Sequence, residues 1–390
     1  MPSPMSTLDR RTGIAESFTV LPPREGIPLW QVIVQLQRRV PPSALRDGAL
    51  ALVGASDLSR RGAAERAAGE AVERAALLPR PGGVDDAATV SARSLVDGST
   101  VETPLADLLY DAGSAGEPPL TVDERTPSGA AAGGTVDDAV SSALLELVER
   151  DALVVAWARQ LALTRIVPRT TTPVAEALRR LGAPFEAGGG GIVVADLGCD
   201  VPGVRAVVAV CLDPLSGAAA IGAKAALDQC AAVLGAAQEA VQALHLARTM
   251  RTAGLADSAL PVRTETDRAR FWAADSALPS LRRWIDSFEP PVTSRRPRPA
   301  AAGAAAPALL LARAGLLARC VDLTDRLPPA ARALGWHAVK ALCPELQPLR
   351  IDEECETSWR PERLLSAEER TGLRSLIGPG EVWRVPHPLV

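Results

Sequence analysis

Apolar residues recur along the chain at two spacings, which predict short strands and a few long helices. Alternating or continuous apolar runs predict strands at residues 29–36, 192–196, 204–212 and 320–323. Apolar residues three and four positions apart predict helices at residues 60–78, from Thr135 to about Leu161, and at residues 228–248. An Asp-Gly pair within residues 89–101 adds a hairpin. Because the strand signals are short and as often linked by hairpins as by helices, we predict an α+β fold rather than a doubly wound sheet.

Composition narrows the classes of function. Hydrophobic residues make up 47% of the 390 residues but aromatic residues only 3%, so the core must consist of Ala, Leu and Val. The formal net charge of −4 provides no basic face, which argues against a nucleic-acid-binding protein. Six cysteines without a Cys-x-x-Cys pair, beside only three histidines, argue against a zinc site. The sequence shows neither a basic-then-apolar leader nor an apolar run of ~18 residues, so we predict a cytoplasmic protein that does not enter a membrane.

Two glutamates and an arginine on the second predicted helix form the first candidate site. Glu146 and Glu149 are three positions apart on one helical face, and Arg150 follows Glu146 by four positions. Neighbouring carboxylates repel unless a cation lies between them, and Mg²⁺ prefers oxygen ligands. The spacing therefore suits a Mg²⁺ site at Glu146 and Glu149, with Arg150 placed to contact a phosphate. A solvated helix face with an ordinary Glu146–Arg150 ion pair fits the same spacing.

Two further candidates carry less information on their own. Glu239 and Gln242 are again three positions apart, on the third predicted helix and beside its apolar stripe, where a plain polar face is the alternative. A Gly/Ala-rich turn at residues 128–134 leads into the helix that Thr135 is expected to cap, and helix N-termini suit anions. No Gly-Lys-Ser/Thr follows this turn, so a tight turn before a helix is the alternative there.

Taken in order, these segments resemble the YcaO family over nearly the whole chain. The most specific likeness is residues 146–152, which fit the family's E-x-x-E-R-D-A helix. Residues 129–135 are similar to its G-x-A-A-G-x-T turn, and residues 236–242 to its A-L-T-E-A-x-Q helix. The looser likenesses are T-G-I at 12–14, A-x-x-L-x-x-G at 92–98, D-L-T at 322–324, P-x-L-Q-P at 344–348 and Pro-His-Pro at 386–388. The sequence departs from the family at Gly235 and Leu244, where a basic residue is frequent.

The resemblance implies an enzyme with one catalytic domain over residues 1–390, ATP and Mg²⁺ as cofactors, and activation of peptide backbone amides by O-phosphorylation. In ring-forming members a Cys, Ser or Thr of the peptide attacks the preceding carbonyl. The oxyanion is phosphorylated, and loss of phosphate leaves a thiazoline or oxazoline. Phosphorylation helps because amide oxygen is a poor leaving group and phosphate a good one. The resemblance makes Glu146, Glu149 and Glu239 the expected Mg²⁺ ligands. The nucleotide contacts expected from it are Ser128, Arg150, Glu239 and Gln242.

The segments outside these motifs suggest a loop, a tail and partners. Residues 289–307, rich in Pro, Ala and Arg, are predicted to be a mobile loop. Prolines stiffen the tail at 385–390, which would hold His387 or the Val390 carboxylate where either moves a proton during ring closure. No leader-recognition region is visible, so the resemblance implies that a precursor peptide is presented by a separate ThiF-like leader-binding protein. Further candidate partners are a flavin-dependent dehydrogenase and a second copy of the chain.

Two alternatives to ring formation stay open. A thioamide synthetase of the same family would use an external sulfur source and a TfuA-like partner, and the partial Pro-rich tail argues against it. A non-catalytic YcaO-like scaffold would only bind a partner or leader peptide. The absence of basic residues at Gly235 and Leu244 supports a scaffold, whereas the presence of Glu146, Glu149 and Glu239 argues against it.

Overall fold

The computed structural model describes residues 2–37, 51–80, 88–110, 124–259, 261–291 and 307–390. Most of the predicted mobile loop, residues 292–306, lies outside the described residues. The chain divides into two compact units. The first consists of Met1–Pro23, Leu29–Leu147 and Pro307–Pro344, and the second of Arg24–Pro28, Val148–Ala306 and Glu345–Val390.

Strands and helices are both short for the most part, apart from three long helices. The strands are β1 (Ala15–Leu21), β2 (Trp30–Leu36), β3 (Leu52–Asp57), β4 (Thr89–Ser94), β5 (Thr100–Pro104), β6 (Ala130–Gly133), β7 (Thr164–Arg165), β8 (Gly191–Asp196), β9 (Arg205–Asp213), β10 (Ala218–Ala226), β11 (Arg319–Asp322) and β12 (His337–Leu342). The helices are α1 (Pro4–Thr7), α2 (Arg60–Leu77), α3 (Val136–Ala158), α4 (Pro173–Glu186), α5 (Gln229–Thr252), α6 (Glu265–Trp272), α7 (Ala277–Asp286), α8 (Pro307–Arg313), α9 (Pro329–Ala333), α10 (Pro361–Leu365) and α11 (Ala367–Thr371).

Two antiparallel sheets and helix α2 organise the first unit. The strand orders are β1-β2-β3 in one sheet and β5-β4-β11-β12-β6 in the other. Helix α2 begins where the Ser59 side chain accepts a hydrogen bond from Gly62 N at 3.0 Å, an ordinary N-cap. Small side chains four positions apart on α2 are buried, so the helix lies close to strands β2, β3 and β6. These side chains are Ala63, Ala67, Ala71 and Ala75.

A four-stranded antiparallel sheet and helix α5 organise the second unit. The strand order is β10-β9-β8-β7, which leaves β10 at an edge of the sheet. Helix α5 begins where Asp228 accepts a hydrogen bond from Ala231 N at 2.8 Å, and it packs on β10 and β9. Both β9 and β10 are almost entirely buried, so the alternation typical of a half-exposed strand is missing from them.

The structure confirms the α+β class and most of the predicted elements. The predicted strands correspond to β2, β8, β9 and β11, the hairpin to β4–β5, and the helices to α2, α3 and α5. Helix α3 ends at Ala158 rather than Leu161, because Gln160 adopts a positive φ of 46° and Leu161 N bonds to Ala156 O. No helix in the described ranges is long and apolar enough to span a membrane.

The predicted turn at residues 128–134 is wrong over most of its length. Ala130–Gly133 form strand β6, which pairs with β12 through Ala130 opposite Lys340. Pairing with an adjacent strand outweighs the weak local preference of alanine. The turn itself centres on Gly129, whose φ is +77° and where a Cβ would lie 2.6 Å from Ala341 O. Strand β10 has no counterpart among the predicted elements, since its alanine-rich sequence carries no strand signal.

Candidate active site

Helix α3 carries the three residues of the first candidate site. Its N-terminus is capped as predicted, with Asp138 N donating to Thr135 Oγ1 at 3.1 Å. Glu146 belongs to the first unit, and Glu149 and Arg150 belong to the second.

Glu149 is a buried carboxylate held by two cations and one backbone N–H. It is 2% exposed, and its Oε1 lies 3.2 Å from Arg150 Nη1. Its Oε2 accepts a hydrogen bond from Ala225 N at 3.0 Å and lies 3.4 Å from Lys224 Nζ. Charge compensation at this density is what a buried carboxylate requires.

Glu239 on α5, like Glu149, accepts a hydrogen bond from a backbone N–H of strand β10. Its Oε2 accepts a hydrogen bond from Ala223 N at 3.1 Å. Burial, with Glu149 as the next cause, raises the pKa of Glu239 to about 7, while Arg150 and Lys224 act in the opposite direction. Gln242 lies three residues further along α5 and is half-buried. Glu149 and Glu239 therefore form one electrostatic site together with Arg150 and Lys224.

The edge position of β10 explains how two carboxylates reach its backbone. Ala223 and Ala225 are two residues apart, so their N–H groups point to the same side of the strand, and these N–H groups donate to Glu239 and Glu149. Helix α5 can approach this closely because residue 222 is glycine. A Cβ at Gly222 would lie 2.3 Å from Ala236 O and 2.6 Å from the Glu239 Cβ.

Sequence reasoning missed a second carboxylate set, which lies in the first unit on α2. Burial raises the pKa of Glu73 well above its ordinary value, and the nearby Glu70 and Glu146 raise it further. Lys340 of β12 is buried beside them and donates from Nζ to Thr126 O at 2.6 Å. Burial lowers the pKa of Lys340 to about 8, while Glu146 and Glu73 act against that shift. Glu146 therefore lies within electrostatic reach of both Glu73 and Lys340.

The signal for this second set was present in the sequence. Glu70, Glu73 and Arg74 have the spacing E-x-x-E-R, which is the spacing of Glu146, Glu149 and Arg150 on α3. Arg74 Nη2 lies 3.3 Å from Glu70 Oε1, and its guanidinium stacks over Tyr110 with 5.0 Å to the ring centroid. A search for recurrence of the α3 motif would have found the triplet on α2.

Ser128 precedes Gly129 and is 6% exposed. Its hydroxyl oxygen has no hydrogen-bond partner within the described part of the chain. Buried hydroxyl groups are normally paired, so an unpaired one next to a tight turn is a donor that a bound anion would satisfy. This observation fits the predicted nucleotide contact at Ser128.

The structure places the tail residues in different surroundings. His387 is 4% exposed, with its Nε2 2.7 Å from Arg350 O. Burial, and then Arg268, lowers the pKa of His387 well below its ordinary value, and Arg150 contributes to the same shift. His387 is therefore within electrostatic reach of the Glu149 site. Val390 is 37% exposed and lines a small apolar niche with Pro388, Trp272 and Leu281.

The carboxylates suit a metal that arrives with a nucleotide. Among the described residues no group of three or more His, Cys, Asp or Glu side chains is arranged to hold a metal ion. Mg²⁺ commonly uses one or two carboxylates and completes its shell with water and phosphate oxygens. Glu73 with Glu146 in the first unit, and Glu149 with Glu239 in the second, supply such pairs. The donor set therefore fits a magnesium–nucleotide ligand.

Comparison with known families gives one match to a family model. The model of the family described as YcaO cyclodehydratase, ATP- and Mg²⁺-binding, matches residues 74–347. No curated protein sequence matches the chain.

Several solved structures share the fold. YcaO from Methanopyrus kandleri, solved with AMPPCP and Mg²⁺, is 21% identical, with 90% of each chain covered and a TM-score of 0.66. A heterocyclase in complex with substrate and cofactor is 15% identical, with 100% of this chain and 57% of that chain covered and a TM-score of 0.71. The E. coli microcin synthetase McbBCD complex with pro-MccB17 bound is 15% identical, with 84% and 88% covered and a TM-score of 0.58.

Proposed function

Because this chain belongs to the YcaO family, whose members bind ATP and Mg²⁺, we propose that it activates backbone amides of a peptide by O-phosphorylation and closes thiazoline or oxazoline rings. The observation that carries this proposal is the pair Glu149 and Glu239, each fixed by a backbone N–H of β10 beside Arg150 and Lys224. A scaffold has no need of carboxylates held at this electrostatic cost. The heterocyclase and microcin synthetase neighbours support a peptide as the substrate.

Each charged residue has a role in this proposal. Bound Mg·ATP supplies the phosphoryl group that turns the amide oxygen into a leaving group. Glu146 and Glu73 in the first unit, and Glu149 and Glu239 in the second, would hold Mg²⁺. The surroundings of Glu239 raise its pKa to about 7. A dication beside this carboxylate would favour its ionised form. Arg150 and Ser128 would contact phosphate oxygens, and Gln242 would contact the nucleotide.

The tail would supply the proton transfer. His387 Nε2 must carry its hydrogen toward the Arg350 carbonyl oxygen, and its Nδ1 is buried. A ring committed in this way is poorly placed to exchange protons with a peptide. The Val390 carboxylate, on the more exposed terminal residue, is the better candidate for the base that removes the amide proton during ring closure.

Charge removal at the second-unit pair tests the proposal. Glu149→Gln and Glu239→Gln keep side-chain size and remove ligand charge. We expect each to lower peptide-dependent phosphate release on the order of 10²-fold or more. Glu176→Gln on the exposed side of α4 is the matched control and should retain wild-type turnover. Near-native turnover in both site variants would contradict the metal assignment.

Product mass distinguishes the two chemistries. Each ring closure removes about 18 Da, whereas thioamide formation adds about 16 Da, and both need the same activated amide. We further propose that the chain works with a separate ThiF-like protein that binds the leader of the precursor peptide. Such a partner would raise the rate by increasing the effective concentration of the peptide core. Equal rates with and without this partner would contradict its role.

A further inference from the structure

The Lys224 side chain on β10 packs against Gly235 on α5 and takes the space that a side chain at position 235 would need. A Cβ at Gly235 would lie 2.8 Å from Lys224 Cγ and 3.2 Å from Lys224 Cδ. Only glycine at position 235 lets the lysine stem cross α5 here without displacement. The stem is thereby supported along its length, which limits the rotamers available to a normally flexible side chain.

The supported stem delivers the ammonium to the solvent side of a buried carboxylate. Lys224 Nζ lies 3.4 Å from Glu149 Oε2, which is longer than a charge-assisted hydrogen bond of about 2.8 Å. That oxygen already accepts the Ala225 N–H at 3.0 Å, and Arg150 lies 3.2 Å from the other oxygen. The Lys224 side chain is 46% exposed, while Glu149 is 2% exposed.

We propose that Lys224 binds a phosphate group of the nucleotide directly, as a second phosphate-binding cation beside Arg150. This inference rests on the proposed function and assigns one of its contacts. Lys224 is not the only group that compensates the charge of Glu149, since Arg150 and a backbone N–H also contact that carboxylate. An ammonium carries three donors in a compact head, so it can keep its contact with Glu149 and donate to a phosphate oxygen on its exposed side.

The test measures binding rather than turnover. Lys224→Met keeps the stem that packs on Gly235 and removes the charge. Titration calorimetry with AMPPCP and Mg²⁺ should show binding about tenfold weaker or more in this variant, because a charge-assisted contact to phosphate is lost. Arg180→Ala, which removes an exposed cation on α4 of the same unit, should bind as wild type. Thermal unfolding without nucleotide identifies any loss of folded protein.

A relocated charge makes the test specific. The double variant Lys224→Gly with Gly235→Arg removes the lysine stem, and an arginine side chain from α5 can then take the same space. We expect this double variant to recover most of the lost affinity for Mg·AMPPCP. Wild-type affinity in Lys224→Met would overturn the Lys224 contact alone. Absence of Mg·AMPPCP binding in the wild-type protein would overturn the proposed function and the contact together.

Discussion

Arg363 is the centre of a buried ion-pair network in the second unit. Its Nε and Nη2 donate to the two oxygens of Asp151 at 2.8 and 2.6 Å, and its Nη1 donates to Asp200 at 2.8 Å. Asp151 also accepts the Gln347 N–H at 2.8 Å. Asp151 directly follows Arg150, so this network fixes the part of α3 that carries Arg150, the proposed phosphate contact. Within the E-x-x-E-R-D-A helix, Asp151 therefore positions α3 through Arg363, whereas Glu149 and Arg150 are the proposed ligand contacts.

Removing the guanidinium should destabilise the protein strongly. Arg363→Met leaves the buried Asp151 carboxylate without its cation, although Asp200 keeps its ion pair with Arg370. We expect the unpaired Asp151 to cost about 3–5 kcal/mol in the free energy of unfolding. Urea denaturation measures this cost. Arg263→Met is the matched control, because its ion pair with Glu354 is more than half exposed and should contribute no more than about 1 kcal/mol. Equal losses in the two variants would contradict the network.

His387 should make stability depend on pH. Its folded-state pKa lies well below the ordinary 6.5, because the ring is buried and Arg268, Arg150 and Arg350 face it, with Glu353 paired to two of these arginines. The unfolded chain then binds the proton more readily than the folded one. Stability from this group is present above pH 6.5 and is lost as pH falls, by up to about 1.4 kcal/mol per pH unit.

The His387→Gln variant isolates this effect. Glutamine can still donate to the Arg350 carbonyl oxygen but does not titrate. Melting temperatures measured from pH 7.5 to pH 5 should fall more steeply in the wild-type protein than in the variant. Parallel curves would show that the pKa of His387 does not differ between the folded and unfolded states.

At the level of elements, the edge strand β10 and the helix α5 form the platform for the second-unit carboxylates. The platform exists because Gly222 lets the helix backbone approach the strand, and because the edge strand has N–H groups that no sheet neighbour takes. Sequence reasoning located α5 and its Glu239 but not β10. This alanine-rich strand is buried on both faces, so it lacks alternation, and Ile221 is its one β-branched residue, which is too little to distinguish it from a helix.

The same substitution at two glycines should have opposite effects. Gly222→Ala would place its Cβ 2.3 Å from Ala236 O and 2.4 Å from Ala240 N, so we expect a loss of several kcal/mol in stability and weaker Mg·AMPPCP binding. Gly69→Ala on α2 meets nothing within 4 Å and should stabilise the protein by about 0.5–1 kcal/mol through helix propensity. Calorimetric melting of both variants checks the signs. A neutral Gly222→Ala would contradict the close approach.

Across the whole molecule, the sequence predicted the family and the principal helices better than it predicted the sheets. The E-x-x-E-R-D-A helix and its capped N-terminus are local features, so they could be recognised without knowing any neighbour. Strand β6 and strand β10 depend on partners far away in the chain, and their alanines carry no strand preference. Charge relations such as Lys224 with Glu149, or Lys340 with Glu73, also join distant segments and appear only in three dimensions.

The tail connects stability and chemistry, so the two must be separated. The His387 carbonyl accepts hydrogen bonds from Arg268 Nη1 at 2.9 Å and Trp272 Nε1 at 3.0 Å. Deleting residues 386–390 would remove the acceptor of the buried Trp272 N–H and one acceptor of Arg268, and would destabilise the second unit whether or not the tail is catalytic. Extending the chain beyond Val390 avoids this, because the terminal residue is partly exposed.

A four-residue Gly-Ser extension after Val390 should therefore leave the melting temperature and Mg·AMPPCP affinity unchanged and lower ring formation at least tenfold, since it displaces the carboxylate proposed to take the amide proton. Mass spectrometry of the peptide product gives the rate of ring formation, and calorimetry gives the affinity. Amidation of the wild-type C-terminus is a second test of the same group. It removes the charge without adding length and should lower ring formation in the same way. If the extended and amidated proteins form rings at the wild-type rate, the Val390 carboxylate is not the base. His387, whose ring is enclosed in the same tail, would then be the group to test next.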